Sequence, residues 1–372
     1  YIYADNAATT QLDPQAFEAM IPWLRDEYGN ASQPYSFSRK PKKAIAEARA
    51  VIAECINAEP EEIYFTSGGT ESDNWVVKGS AFSDPDHRAM ITSQIEHHAV
   101  LHSCAAIERI GYPVAYLPTD EDGRILPETL DRNISDRTRL VSVMTANNEI
   151  GTIQDIAGLA DIAHAHGAMF HTDAVQAVGH IPIDVKALDV DMLSASAHKF
   201  NGPRGIGFLY IRKGIEVHPF MDGGGQENKN RAGTENTAAI VGMSIALMNN
   251  IKNMMHTSDS IRALENLLIT KLLEAGLVFR RNGANTLPGL ISLSFQNSSG
   301  EMLLHRMDLK GICVSTGSAC NGSSDEISHV LQAIHLPDEY AKGTVRISLG
   351  KQNTESDIIK IAESLKQILT PK

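Results

Sequence analysis

Lys199 lies in the run Ser194-Ala195-Ser196-Ala197-His198-Lys199-Phe200, directly after a β-rich stretch. An amine at the end of a strand can form a Schiff base with an aldehyde when its surroundings lower its pKa. The same lysine taken alone is an ordinary solvated side chain. Other segments that follow β-rich runs complement it. Phe170-His171-Thr172-Asp173-Ala174-Val175-Gln176 puts Asp173 and Gln176 behind a run ending at His171. A carboxylate there can keep a pyridinium nitrogen protonated and so turn a ring into an electron sink, or it can simply cap a helix. In Ser67-Gly68-Gly69-Thr70-Glu71-Ser72 the glycines allow close backbone approach. A helix starting there offers free N–H groups and a positive dipole end to a phosphate, although a Gly-Gly turn with a Thr cap has a purely structural reading too. Asn147-Asn148, His97-His98, Ser196 and His198 add polar groups behind further runs.

The thiols divide by setting. Cys55 shares a helical stripe with Ala44, Ala48 and Ile52, and Cys104 follows Val100 and Leu101, so both read as core packing. Cys313 lies in the apolar run Ile312-Cys313-Val314. Cys320 is set among small polar residues, Thr316-Gly317-Ser318-Ala319 before it and Asn321-Gly322-Ser323-Ser324 after it, a loop-like setting that favours an accessible thiol. Four cysteines scattered over 372 residues make no disulfide framework, and no two have metal-ligand spacing.

The elements that must position these residues alternate. Strand-like runs at Glu62–Thr66, Ala89–Thr92, Leu140–Met144, Ala168–His171, Val190–Ser194 and Gly207–Ile211 are interleaved with helical patterns. This predicts an α/β fold with a mostly parallel sheet, which binds ligands beyond the carboxyl ends of its strands. From about residue 251 the pattern changes to a long helical stretch ending near Ala275, then strands around Leu290–Phe295, Gly311–Val314 and Thr344–Leu349. A closing helix has a Thr354-x-x-Asp357 start signal and an Ile358, Ala362, Leu365, Leu369 stripe. The expected organisation is a large domain over residues 14–250 and a smaller α+β domain from 1–13 and 251–372, the latter carrying the cysteine loop at about 315–326.

A hydrophobic content of 42% is enough for two cores in a chain of 372 residues. The net charge of -12, interspersed along the chain, speaks against nucleic acid or an anionic membrane as a direct partner. No run approaches the roughly 18 apolar residues that span a bilayer, and no charged-then-apolar leader opens the chain, so a cytoplasmic location is the expectation.

Taken together these residues resemble the cysteine desulfurases, within the fold-type I class of pyridoxal-phosphate enzymes. The resemblance runs nearly end to end. It starts at Tyr3-Ala4-Asp5-Asn6-Ala7-Ala8-Thr9-Thr10 and passes through Ser67–Asn74, Glu96-His97, Asn147–Gly151, Asp173–Gln176 and Ser196–Lys199. It continues in Gly223–Glu227, Arg231-Ala232-Gly233-Thr234, Gly317-Ser318-Ala319-Cys320 and Val345–Gly350. The resemblance implies that Lys199 carries pyridoxal 5'-phosphate, Asp173 pairs with the pyridine nitrogen and Gln176 bonds the phenolic oxygen. It implies that His97 stacks on the ring and helps move protons, with Asn148 beside the ring and the substrate. Gly69, Thr70, Ser196 and His198 would hold the phosphate, with Thr234 reaching in from a second subunit of a homodimer. Arg346 would clamp the carboxylate of L-cysteine. Strand alternation agrees, since it places Val345, Ile347 and Leu349 on one face and Arg346 on the other. Cys320 would take up the substrate sulfur as a persulfide, release L-alanine, and pass the sulfur to an acceptor or iron-sulfur scaffold protein.

The sequence departs from the family in Gly29-Asn30-Ala31-Ser32-Gln33-Pro34-Tyr35, where Tyr35 stands at a position usually held by His. Two other readings stay open on the residues alone. One is a different reaction on the same scaffold, such as a selenocysteine lyase or an aminotransferase; the other is a non-catalytic sulfur-trafficking scaffold.

Overall fold

The structure is a computed structural model that describes residues 1–316 and 327–370. In chain order its strands are Ile2–Tyr3 (β1), Ile63–Thr66 (β2), Ala89–Ser93 (β3), Val114–Leu117 (β4), Thr138–Ser142 (β5), Met169–Asp173 (β6), Met192–Ser196 (β7), Gly207–Ile211 (β8), Arg280–Asn282 (β9), Leu290–Ser294 (β10), Ile312–Cys313 (β11) and Thr344–Ser348 (β12). Seven of them form one sheet in the order β2-β8-β7-β6-β5-β3-β4. Neighbours from β7 through β4 are parallel, and β8 runs antiparallel to both β7 and β2. Helices cover both faces, which is why β6, β7 and β8 are buried along their whole length. The expected α/β fold with a mostly parallel sheet is the one observed.

Element boundaries differ from the expectation in ways that matter to the site. The strand expected to end at His171 runs to Asp173, and the one expected to end at Ser194 runs to Ser196. Asp173 and Ser196 are therefore the last rungs of β6 and β7 and not residues of the following loops. The strand expected at Leu140–Met144 occupies 138–142. Strand β4 has no counterpart in the expectation: it is a half-exposed edge strand beside β3 alone, only four residues long and set between Pro113 and Pro118.

A second region contains the antiparallel sheet β12-β10-β9 and the parallel pair β1-β11. Its apolar core gathers Ile2, Ile291, Leu293, Val345, Ile347 and Leu365, separate from the core around Val141, Phe170, Leu193, Phe208 and Met243. One helix, Thr237–Glu274, serves both. Ile240, Met243 and Leu247 on its first half enter the large core, while Ile261, Leu268 and Leu272 on its second half enter the small one. Residue 250 thus falls inside a continuous helix. The closing helix Glu355–Leu369 begins with the Thr354/Asp357 capping box. No described helix is long and apolar enough to cross a membrane.

Candidate active site

Gly69, Thr70, His97, Asn148, Asp173, Gln176, Ser196, His198, Lys199 and Arg346 all line one cavity of about 300 Å³, at the carboxyl ends of the parallel strands. It opens between the two cores, and the second region contributes Arg346 and Ser315 to its wall. Three-dimensional placement thus joins residues separated by as much as the distance from Gly69 to Arg346 in the chain. Thr234 is not among them: it lies in a separate cleft beside Ser67, Gly205 and Arg231. Cys320 lies outside the described residues.

Lys199 ends a short 3₁₀ turn, Ala197–Lys199, that follows β7 immediately. His180 donates from Nε2 to the Lys199 carbonyl at 2.8 Å and so fixes the turn from behind. The Lys199 Nζ donates to the carbonyls of Ala7 and Ala8 at 2.6 and 2.9 Å. Gln176 Nε2 donates to the same Ala7 carbonyl at 3.0 Å. The N-terminal segment is thus a wall of the site, tied down where Ser348 Oγ accepts from the Ala7 N–H at 2.9 Å. Asp5, Ala7 and Ala8 are functional positions that residue-type reasoning passes over, because two of them act only through backbone carbonyls.

The turn before helix Gly69–Phe82 requires glycine twice. Gly68 has φ 148°, and a Cβ on Gly69 would stand 2.5 Å from Val175 Cγ2. Such a stripped turn at the start of a fourteen-residue helix, with Ser196 and His198 facing it across the cavity, suits a phosphate. His198 contacts Thr9 Oγ1 through Nδ1 at 3.2 Å, and burial together with Lys199 lowers its pKa to about 4.

His97 caps the helix His98–Glu108: its Nδ1 accepts from the Ala99 N–H at 3.1 Å, which leaves the ring proton on Nε2. Burial, and secondarily the charge of Lys199, lowers its pKa to about 4, so it faces the cavity as a neutral imidazole. Asp173 accepts from the Val175 N–H at 2.9 Å, and burial lifts its pKa to about 6. A carboxyl this buried is stabilised in its charged form by a cationic partner, and a protonated ring nitrogen supplies one. Arg346 donates from Nη1 to the Asn148 carbonyl at 2.8 Å and from Nη2 to Asp5 Oδ1 at 2.9 Å. Among the described residues its buried Nε has no hydrogen-bond partner, and Nη1 and Nη2 each carry a second N–H beyond these contacts, so the guanidinium retains donor capacity for a carboxylate. A stripped turn for a phosphate, a buried acid for a ring nitrogen and a lysine between them fit pyridoxal phosphate.

Two further acids surround this floor. Asp73 lines the cavity, and Glu96 is wholly buried next to His97 with its pKa raised to about 8 by burial. Their segments, Thr70–Asn74 and Glu96-His97, contribute to the sequence resemblance, but a carboxylate in a helix start normally faces water, so residue type alone does not reveal their burial. Two described thiols are held in the unreactive thiol form, since burial raises Cys104 to about 12 and Cys55 to about 11. Among the described residues no group of three His, Cys, Asp or Glu side chains is arranged to hold a metal ion.

Fold and site together define a pyridoxal-phosphate enzyme of the Aminotransferase class-V type, whose family profile matches residues 2–361. Over 99% of its length the chain is 47% identical to the cysteine desulfurase IscS of Methanosarcina thermophila, covering 92% of that relative, and 46% identical to its namesake in Dictyoglomus turgidum, covering 94%. Among solved structures it matches a NifS-like protein with a TM-score of 0.93 at 36% identity, each chain covered to 99%. The chain belongs to the cysteine desulfurase family.

Proposed function

We propose that this chain removes sulfur from L-cysteine, releases L-alanine and holds the sulfur as a persulfide on Cys320 for delivery to an acceptor or iron-sulfur scaffold protein. The observation that carries this reading is the convergence of Lys199, His97, Asp173 and Arg346 on one cavity. The reading extends to a homodimer acting in the cytoplasm, with Thr234 completing the phosphate site of the opposite subunit. The separation of Thr234 from the cavity of its own chain supports that role. A solved relative, SspA, is described in complex with cysteine; it matches this chain with a TM-score of 0.85 at 36% identity, covering 95% of this chain and 100% of its own.

Each residue has a task with a physical basis. Gly69, Thr70, Ser196 and His198 would hold the phosphate, Asp173 would pair with the ring nitrogen and Gln176 would bond the phenolic oxygen. Bound there, pyridoxal phosphate supplies an electron sink conjugated to the substrate Cα. Arg346 fixes the substrate carboxylate with donors now shared between Asn148 and Asp5. Lys199 Nζ would take the Cα proton and return it to Cα as alanine forms, and neutral His97 presents its Nε2 proton to the same space. The Cys320 thiolate bonds the substrate Sγ as the Cβ–Sγ bond breaks; the electron pair stays with Cβ, which then takes a proton to become the methyl group of alanine.

Incubation with L-cysteine tests the reading. Alanine is expected to form, and the intact mass should show sulfur added at Cys320 and nothing added in Cys320→Ser. Alanine production without protein-bound sulfur, or full desulfurase activity in Cys320→Ser, would refute it.

A further inference from the structure

Behind Asp173 the protein buries a chain of hydrogen-bonding groups that the reaction described above does not use. Ser142 Oγ meets His171 Nδ1 at 2.8 Å, and His171 Nε2 meets Ser194 Oγ at 3.0 Å. The Ser194 side chain is also close enough to act on the carboxyl of Asp73. The ladder places Ser194 directly opposite Asp173 on the neighbouring strand. Asp73 projects from helix Gly69–Phe82 into the floor of the cavity, and 1% of its surface is exposed. Its Oδ1 has no hydrogen-bond partner among the described residues and lies 3.8 Å from His171 Nε2.

The titratable groups that bear on Asp73 are His171, Asp173 and Glu96, with Lys199 and His97 sharing its cavity. His171 cannot neutralise it as a cation, because burial pushes the imidazole down to about 3. Asp173 adds only negative charge, and Glu96, held protonated by burial, supplies no positive charge. A buried carboxylate with one oxygen unsatisfied and no adjacent cation is strongly disfavoured, so the group keeps its proton. Asp173 differs, since it accepts the Val175 N–H and feels the charge of Lys199. Of two interacting acids, the one with a donor and a nearby cation ionises first.

We propose that Asp73 carries a proton in the folded enzyme and acts as a positioning residue for Asp173. Set beside the Ser142–His171–Ser194 chain, 3.8 Å from His171 Nε2, it leaves Asp173 as the charged acid that faces the ring nitrogen. The chain can hydrogen-bond in either direction while His171 stays neutral, so the network stabilises a neutral Asp73 without a counter-ion. This rests on the cofactor assignment made above.

The test uses infrared difference spectra of wild-type and Asp73→Asn holoenzyme in water and in deuterium oxide, with a pH titration of the cofactor's visible absorbance. Asparagine mimics the neutral acid. The variant should therefore lose one protonated-carboxyl band and keep the wild-type visible spectrum at pH 7. It should also lose an alkaline transition of that spectrum that the wild type shows. A band left intact in Asp73→Asn, or a neutral-pH spectrum displaced as it is in Asp173→Asn, would overturn the proposal. If Asp73→Asn fails to fold, Ser194→Ala leaves both acids in place. It should retain the band at a shifted frequency, and an unshifted band overturns the chain. Failure of the wild type to develop cofactor absorbance would instead defeat the cofactor assignment, while the band, measurable in apoprotein, would still decide the state of Asp73.

Discussion

Glu96 shows how the floor of this site is built at a cost to stability. Its Oε1 accepts from Ser93 Oγ and the Met144 N–H, while its buried Oε2 has no hydrogen-bond partner among the described residues. Burial raises its pKa from 4.5 to about 8. Below pH 4.5 folded and unfolded chains both hold this proton and Glu96 makes no pH-dependent difference. Between 4.5 and about 8 only the folded chain keeps it, so stability is lost as pH rises through that window. Glutamine resembles the protonated acid but does not titrate. The stability of Glu96→Gln relative to wild type should therefore rise by up to about 1.4 kcal/mol per pH unit across the window. Denaturant melts at pH 5 and pH 8 measure this, and a constant difference would show that Glu96 is ionised in the folded state. At this scale the sequence reveals the residues whose type states their chemistry, such as Lys199, Asp173 and Arg346. It conceals those whose role comes from burial, such as Asp73 and Glu96, and those that act through the main chain, such as Ala7 and Ala8.

Among the elements, β8 has a positioning task that its short length hides. Gly207 opens it, paired with Thr66 on one side and Ser196 on the other. A Cβ there would stand 2.4 Å from the Ala195 carbonyl oxygen and 2.7 Å from Gly68 Cα, both backbone atoms that cannot swing away. The close approach keeps the Gly68-Gly69 turn against Ser196, two parts of the proposed phosphate site. Gly207→Ala should lower stability by about 2–3 kcal/mol through overpacking and should weaken pyridoxal phosphate binding more than proportionately. Thermal melts and a cofactor titration separate the two effects, and unchanged affinity in a destabilised variant would show that the turn does not depend on β8. Elements with a strong pattern were legible: the capping box at Thr354 marked a helix start, and the apolar run Gly207–Ile211 marked a whole strand. Boundaries were not, because Asp173 and Ser196 are polar residues whose strand conformation is imposed by neighbouring strands and not by their own preferences. Strand β4 escapes because its apolar run is only four residues long and is bracketed by Pro113 and Pro118, residues that mark turns and loops.

The molecule as a whole places its site at a seam. The large region brings Lys199, His97 and Asp173, the small region brings Arg346, and the N-terminal segment threads between them from β1 to Thr10, which accepts the Asn201 N–H on its Oγ1. Relative placement of the two regions therefore sets the distance from the substrate clamp to Lys199, and the helix Thr237–Glu274 is the most continuous element that enforces it. Its composition changes where it passes from one core to the other, which is why the sequence suggests a boundary near residue 250 where the backbone has none. Asn253 is exposed between the last large-core contact, Ile251, and the first small-core contact, Ile261; its Nδ2 donates to the Asn249 carbonyl one turn back. Proline there removes a helical hydrogen bond and clashes with the preceding turn, at a cost of about 3 kcal/mol or more. Asn253→Pro should therefore loosen the seam and leave both cores intact. Two unfolding transitions should replace one, and the KM for L-cysteine should rise while pyridoxal phosphate still binds, because the cofactor residues other than the proposed partner-subunit Thr234 belong to the large region and the carboxylate clamp does not. A single transition with an unchanged KM would mean that the N-terminal segment and the packing of β1 against β11 hold the two regions together without the helix.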